Sequence, residues 1–349
     1  LSRRGKRVVL LERERRFGAH SSGLNAGILR TVTSDPVATA LTQRGAAFLH
    51  EPPEELLKHA GGPLLDPRGV VLTAGHEAAE LTRWIEAAGP ETEAHELSGD
   101  DLLIAAPHYR GDPKLAVLFP REGTIDIARL VTGFARGAEA AGAELRRRTT
   151  VRRLLVDGDR VAAVELADGT RLAAERTVLA AGGWARRLGA EVGSRVRMQP
   201  TRRHLFVTAS SNQVDPRWPV VWDLDRGFYC RPERGGLMLC VCDQSDTDPD
   251  ACTVDPDVGV LIRTEAERLL RLPLGRQADF WCSLRTMTED SRFVLGPDPD
   301  IGGLFWVAGL GGSGMACGAE VGRLAAAMLA GEAEEDPLLA ALEPGRLAA

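Results

Sequence analysis

LFWVAGLGGSGMACGAEVGRLAAAMLAG, residues 304–331, joins a strand, a glycine-dense turn and a helix. Leu304–Ala308 is an apolar run of strand length. Gly309, Gly311, Gly312 and Gly314 follow it. From about Met315 apolar residues recur at helical spacing. Glycines let backbone approach a ligand closely, and a helix N-terminus offers unpaired N–H groups and a positive dipole end. The stretch predicts a strand–turn–helix that faces an anionic group. A tight turn without a ligand is the plainer alternative, because a glycine motif alone is weak.

Three further segments share this character. LSRRGKRVVLLERERR (1–16) holds a short apolar run, Val8–Leu11; residues 7–11 read as a buried parallel strand with Glu12 at its tip. An acid in that place can accept hydrogen bonds from both hydroxyls of a ribose. Arg13 beside it can cover an adenine face. FGAHSSGLNAGILR (17–30) follows, and the small polar residues of His20-Ser21-Ser22-Gly23 with Asn25 can contact a pyrophosphate. Ala180-Ala181-Gly182-Gly183-Trp184 comes after another strand and can run close to a cofactor. A βαβ nucleotide unit has a strand and glycine loop before its acidic strand. The chain opens after them: Leu1–Gly5 reads as the tail of the connecting helix, and roughly 20–30 residues are expected upstream.

Helices are predicted over 37–49, 77–88 and 257–271, and from Thr124 or Asp126 to Gly142. Residues 50–75 contain Pro52, Pro53, Pro63 and Pro67 and read as loop with short strands at most. Leu115–Phe119 reads as a strand, and 151–183 as a β-meander turning at Asp157-Gly158-Asp159 and Asp168-Gly169. Residues 195–281 are rich in strands. The class is therefore α/β, with two units and discontinuous segments. A Rossmann-like nucleotide domain would take 1–48, 119–194 and 282–335. A β-rich second domain would take 49–118 and 195–281, leaving 336–349 as a tail.

Composition excludes several functions. The net charge is −6 with no block of like charge, so nucleic acid is not an expected partner. Cys230, Cys240, Cys242, Cys252, Cys282 and Cys317 form no CxxC pair, which fits reduced thiols. The seven histidines have no metal-binding spacing. No apolar run approaches the ~18 residues of a membrane span. A cytoplasmic protein is expected, with peripheral attachment to the inner membrane as an alternative.

Taken together, these motifs resemble FAD-dependent amine and amino-acid oxidoreductases of the D-amino-acid oxidase/glycine oxidase superfamily, along essentially the whole chain. RVVLLERERRFGAHSSGLNAG, MQPTRRHLFV, WPVVWDLDRGFYCRP and FWCSLRTMTEDSRFVLGPDPDIGGLFWVAGLGGSGM are similar to the D-arginine dehydrogenase branch. The resemblance implies FAD, held by Glu12, Arg13, Ser21, Ser22, Asn25, Ala26, Val151, Ala181, Gly182, Trp184, Gly311, Gly312, Ser313, Gly314 and Met315. It implies Arg285 on the substrate carboxylate, with Tyr229 and Arg203 beside it; a guanidinium fork suits a carboxylate. The substrate would be a D-amino acid or related amine, losing hydride from Cα to flavin N5 with no obligatory base. The electron acceptor would be a quinone or oxygen. Two alternatives stay open: a 2-hydroxy-acid oxidase of the L-2-hydroxyglutarate type, and a flavin-less structural or regulatory relic. Gly69 stands where that branch has an acidic residue, Ile28 or a neighbour replaces a histidine, and Ser313 replaces an aromatic. These departures argue against arginine or lysine and toward a smaller or more apolar D-amino acid, or a secondary amine such as sarcosine or proline.

Overall fold

Alternating apolar positions in the strand-rich segments build one large sheet. The computed structural model describes residues 1–332 and 336–348; positions 333–335, at the end of the expected nucleotide segment, and position 349 lie outside them. Among the described residues the sheet has nine strands. Its order is Ser245–Asp246, Gln199–Thr208, Gly236–Cys240, Phe228–Glu233, Val220–Asp223, Val70–Ala74, Leu115–Phe119 and His95–Glu96, with Gln277–Met287 also paired to Gln199–Thr208. Successive side chains of a strand point to opposite faces. Val71, Val221, Cys230, Leu239 and Phe206 fall on one face, under Ile262, Ala266 and Leu269 of helix Pro256–Leu269. Asp255 caps that helix by accepting from the Asp257 amide at 3.1 Å. The other face turns toward the segments that carry the glycine motifs.

Those segments form smaller sheets. Val9–Leu11 pairs in parallel with Glu144–Arg146. Thr177–Leu179 pairs in parallel with Leu304–Ala308, which also takes Val294–Pro297 antiparallel. Val151–Asp157, Arg160–Leu166 and Arg171–Ala173 make the meander. Its expected last strand, Thr177–Ala180, forms over Thr177–Leu179 but leaves it and joins Leu304–Ala308 instead. Val9–Leu11 is parallel as predicted but not buried: Leu10 is 41% exposed, because this strand has one strand neighbour among the described residues.

The proline-rich stretch 50–75 is more ordered than its composition suggests. It contains helix Glu54–Ala60, which starts after Pro53, carries Glu54 and Glu55 in its first turn and ends at Gly61 with φ 78°. It also contains the fully buried strand Val70–Ala74. Although 49–118 was assigned to the second domain, Leu56 and Ala60 pack with Leu130 of helix Ile127–Ala140. Strand Gln277–Met287 likewise runs through the expected boundary at 282.

Helix Gly314–Ala330 starts at the glycine turn, and helix Pro36–His50 lies across it. Gly45 permits the crossing, since a Cβ there would fall 2.0 Å from the Ala316 carbonyl oxygen. Alanine would gain up to about 1 kcal/mol of helix propensity, but no rotamer relieves an overlap with backbone. Gly45→Ala is expected to destabilise by about 1–3 kcal/mol, read as a fall of several degrees in Tm by thermal melting.

Candidate functional site

The site assembles where the glycine turn meets strand Gln277–Met287. The Gly311 amide donates to the Thr286 carbonyl at 3.1 Å, with Gly311 at φ 50° and Gly309 at φ 66°. Gly312 then lies against Arg285: a Cβ on it would sit 4.0 Å from the Arg285 Nε. Ser313 precedes the helix and makes no side-chain cap, so the first-turn N–H groups of Gly314, Met315 and their neighbour stay open to an anionic group. Cys317 is fully buried one turn on and donates its thiol to the Ser313 carbonyl at 3.0 Å; it is a packing residue.

Arg285 is 7% exposed. Its Nη1 donates to Ser283 Oγ and to the Leu284 carbonyl, both at 3.2 Å, while its buried Nε has no partner among the described residues. An unpartnered buried guanidinium nitrogen is costly unless a ligand meets it. Cross-strand register places the other expected substrate residues on the same face. Arg285 pairs with Thr201, two residues before Arg203. Tyr229 pairs with Trp222 on one side and Cys240 on the other. Tyr229 is 2% exposed, and its ring centroid lies 4.6 Å from that of Trp222. Arg203 donates from Nε to the Asp243 carbonyl at 2.6 Å. His204 points to the opposite face, where Asp243 lies 2.7 Å from its Nδ1 and the Asp255 amide donates to its Nε2.

The nucleotide-side residues gather separately. The Glu12 amide donates to the Arg146 carbonyl at 2.9 Å, extending the parallel pairing, and one carboxylate oxygen accepts from the Glu14 amide. The Arg13 guanidinium sits 3.9 Å over the Trp184 ring. Asp250 ties this corner together: Trp184 Nε1 donates to it at 2.7 Å, Arg187 at 2.8 Å and Arg13 at 3.2 Å. These donors, Trp184 first and then Arg187, hold its carboxyl down at about 2. Leu11, Val151 and Ala181 pack on one apolar cluster around Leu179, and Gly182 turns the chain at φ 51°. In the serine loop Asn25 holds the structure, donating to the Ser21 and Ser22 carbonyls at 3.0 and 2.8 Å and accepting from the Gly27 amide. The hydroxyls of Ser21 and Ser22 make no hydrogen bond among the described residues. Ala26 is buried, and its carbonyl accepts from Arg231 Nε at 2.7 Å.

The structure adds residues that the sequence reading passed over. Arg30 follows strand Ile28–Leu29 and lays its guanidinium 4.2 Å over the Trp222 ring. Glu122 is buried beside it. One of its oxygens accepts from the Thr31 amide at 2.5 Å and hydroxyl at 2.6 Å; the other has no partner. Burial pushes this carboxyl up to about 7, against the Thr31 bonds and the charge of Arg30. The available signal was that Arg30 lies in the quoted loop segment, just after its apolar pair.

A family model described as FAD dependent oxidoreductase matches residues 1–328. The chain is 26% identical over 321 residues to glycine oxidase of Geobacillus kaustophilus, covering 88% of this chain and 82% of that protein. It is 29% identical over 244 residues to D-amino acid dehydrogenase of Cereibacter sphaeroides, covering 68% and 55%. The crystal structure of the Geobacillus glycine oxidase superposes with a TM-score of 0.83 at 24% identity, over 98% of this chain and 93% of that one. Across these curated relatives the share of the other protein spanned runs from 17% to 89%.

Glu122 makes stability depend on pH. A carboxyl raised from 4.5 to about 7 binds its proton more tightly in the folded state. Its contribution is therefore complete below pH 4.5 and is lost as pH rises through 7, about 3 kcal/mol in all. Glu122→Gln keeps the acceptor for Thr31 and removes the titration. Chemical denaturation from pH 5 to 8 is expected to show a flatter stability profile in the variant.

Proposed function

Because the chain belongs to the FAD-dependent oxidoreductase family, we propose that it oxidises the Cα–N bond of a D-amino acid or related amine to an imino acid. The observation that carries this reading is the buried, part-unpartnered guanidinium of Arg285 beside Gly312, at the start of helix Gly314–Ala330. Residues fit for FAD lie on both sides of it: Glu12, Arg13 and Trp184 toward the nucleotide, and the open helix N-terminus toward the ring. When bound, FAD supplies the two-electron acceptor, taking hydride at N5.

Everything else is the work of this chain's side chains. Arg285 takes the substrate carboxylate through its free donors. Tyr229 closes one side and Arg203 adds a second positive charge. The carboxylate thereby fixes Cα, so binding is converted into orientation. The uncapped helix end favours the negative charge that reduction leaves. An alcohol would need a group to accept its hydroxyl proton, whereas an amine can reach the site already neutral. His204, the imidazole nearest Arg203 in sequence, faces away from it, which favours the amine over the hydroxy-acid alternative. The D configuration rests on the resemblance of the segments around Arg203, Tyr229 and Arg285.

The test is anaerobic bleaching of the flavin band of the purified protein by D- and L-amino acids, secondary amines and 2-hydroxy acids. Bleaching by amines of one configuration supports the proposal; bleaching by hydroxy acids alone overturns it. Arg285→Met is expected to keep the flavin spectrum while lowering kcat/KM by about 10²–10³-fold, chiefly through KM.

A further inference from the structure

The substrate face carries more positive charge than one carboxylate requires. Four arginines reach it. Arg231 is engaged by Glu233 at 2.7 Å and by the Ala26 carbonyl. Arg203 is held by the Asp243 carbonyl, and Arg285 by Ser283 and Leu284. Arg30 has no hydrogen bond and no ion pair among the described residues. Its contact is the face of Trp222, whose ring packs on Tyr229. A cation on an indole face gains less than a half-buried guanidinium loses by leaving water unpaired.

The acids nearby do not close the balance. Glu122 is the acid that acts on Arg30, and its carboxyl sits at about 7 with Thr31 holding one oxygen. Asp243 is directed to His204. Cys242 feels the charge of Arg30 and Arg203, and Arg285 feels Cys240 and Cys242 in turn, so the three guanidinium groups converge on one region. Neighbouring Cys240 lies in the same field: burial raises its thiol, while the Cys242 hydrogen bond and the charge of Arg203 lower it.

We propose that Arg30 receives a second carboxylate of the substrate, so that the enzyme takes an acidic amino acid or an N-carboxyalkyl amine. The first carboxylate lies on Arg285, and Trp222 with Tyr229 forms the apolar floor between the two cations. This rests on the amine reading above and deepens it. It also replaces the sequence-based expectation of a small or apolar side chain. The absence of an acid at Gly69 fits an anionic substrate arm as well as a neutral one, and Arg30 decides between them.

The experiment compares kcat/KM for D-aspartate, D-glutamate and iminodiacetate with that for D-alanine, glycine and sarcosine. Wild type, Arg30→Leu and Arg30→Lys are assayed as holoenzymes. Titration of succinate and of propionate, read by perturbation of the flavin spectrum, accompanies it. Wild type is expected to prefer the dicarboxylates. Arg30→Leu is expected to cut the dicarboxylate-to-neutral ratio about 100-fold, with Arg30→Lys between. Succinate is expected to bind more tightly than propionate in wild type and to lose that advantage in Arg30→Leu. A wild-type preference for neutral amines, or an unchanged ratio in Arg30→Leu, overturns the proposal while leaving amine oxidation standing. If no amine bleaches the flavin but succinate still binds through Arg30, the amine reading fails and the second-carboxylate site stands. Equal binding of succinate and propionate overturns the site.

Discussion

The hydrogen bond from the Gly311 amide to the Thr286 carbonyl fixes two parts of the chain against each other. One is a helix whose first N–H groups are free; the other is the strand that carries Arg285. The bond needs a left-handed turn at Gly309 and Gly311. It also needs room: a Cβ at Gly309 would press on Thr288 and Val294 at 3.0 Å. Substituted glycines would push the helix away from the strand. The helix terminus and the Arg285 guanidinium would then face different spaces.

The second constraint is the electrostatic cost of arginine in a buried place. The fold offsets it with backbone carbonyls as much as with carboxylates: Ala26, Asp243 and Leu284 each supply one. Carbonyls satisfy donors without cancelling charge, so the face stays positive. A fold that paired each guanidinium with an acid would be better neutralised and would bind an anion poorly.

Much of this was legible in the chain. The terminal strand–turn–helix, the Asp126-capped helix, the meander turns and the strand ending at Glu12 follow from local chemistry, which acts within a few residues. Arg285, Tyr229 and Arg203 are expected from segment resemblance alone; their common face is a matter of register between strands far apart in sequence. Helix Glu54–Ala60 was hidden because two prolines precede it and seven residues carry little periodicity. Thr177–Leu179 was misplaced in the meander because pairing with Leu304–Ala308 is a long-range choice. The burial of Val9–Leu11 was overestimated because composition states what a strand could bury and not how many neighbours it has. Arg30 was passed over because nothing local separates it from other arginines. Its meaning comes from Trp222, nearly two hundred positions away.

Asp250 leaves a mechanical consequence. It lies between the large sheet and helix Pro256–Leu269, yet its carboxylate is gripped by Trp184, Arg187 and Arg13 on the nucleotide side. Any displacement of Arg13 or Trp184 must loosen that grip. Residues 252 and 255 follow closely: the Cys252 sulfur lies 3.2 Å from that of Cys282, and Asp255 binds Arg202 and His204. The segment thus works as a tie-rod. It joins the Arg13 corner to the strand that holds Arg285, so slack at one end would reach the other.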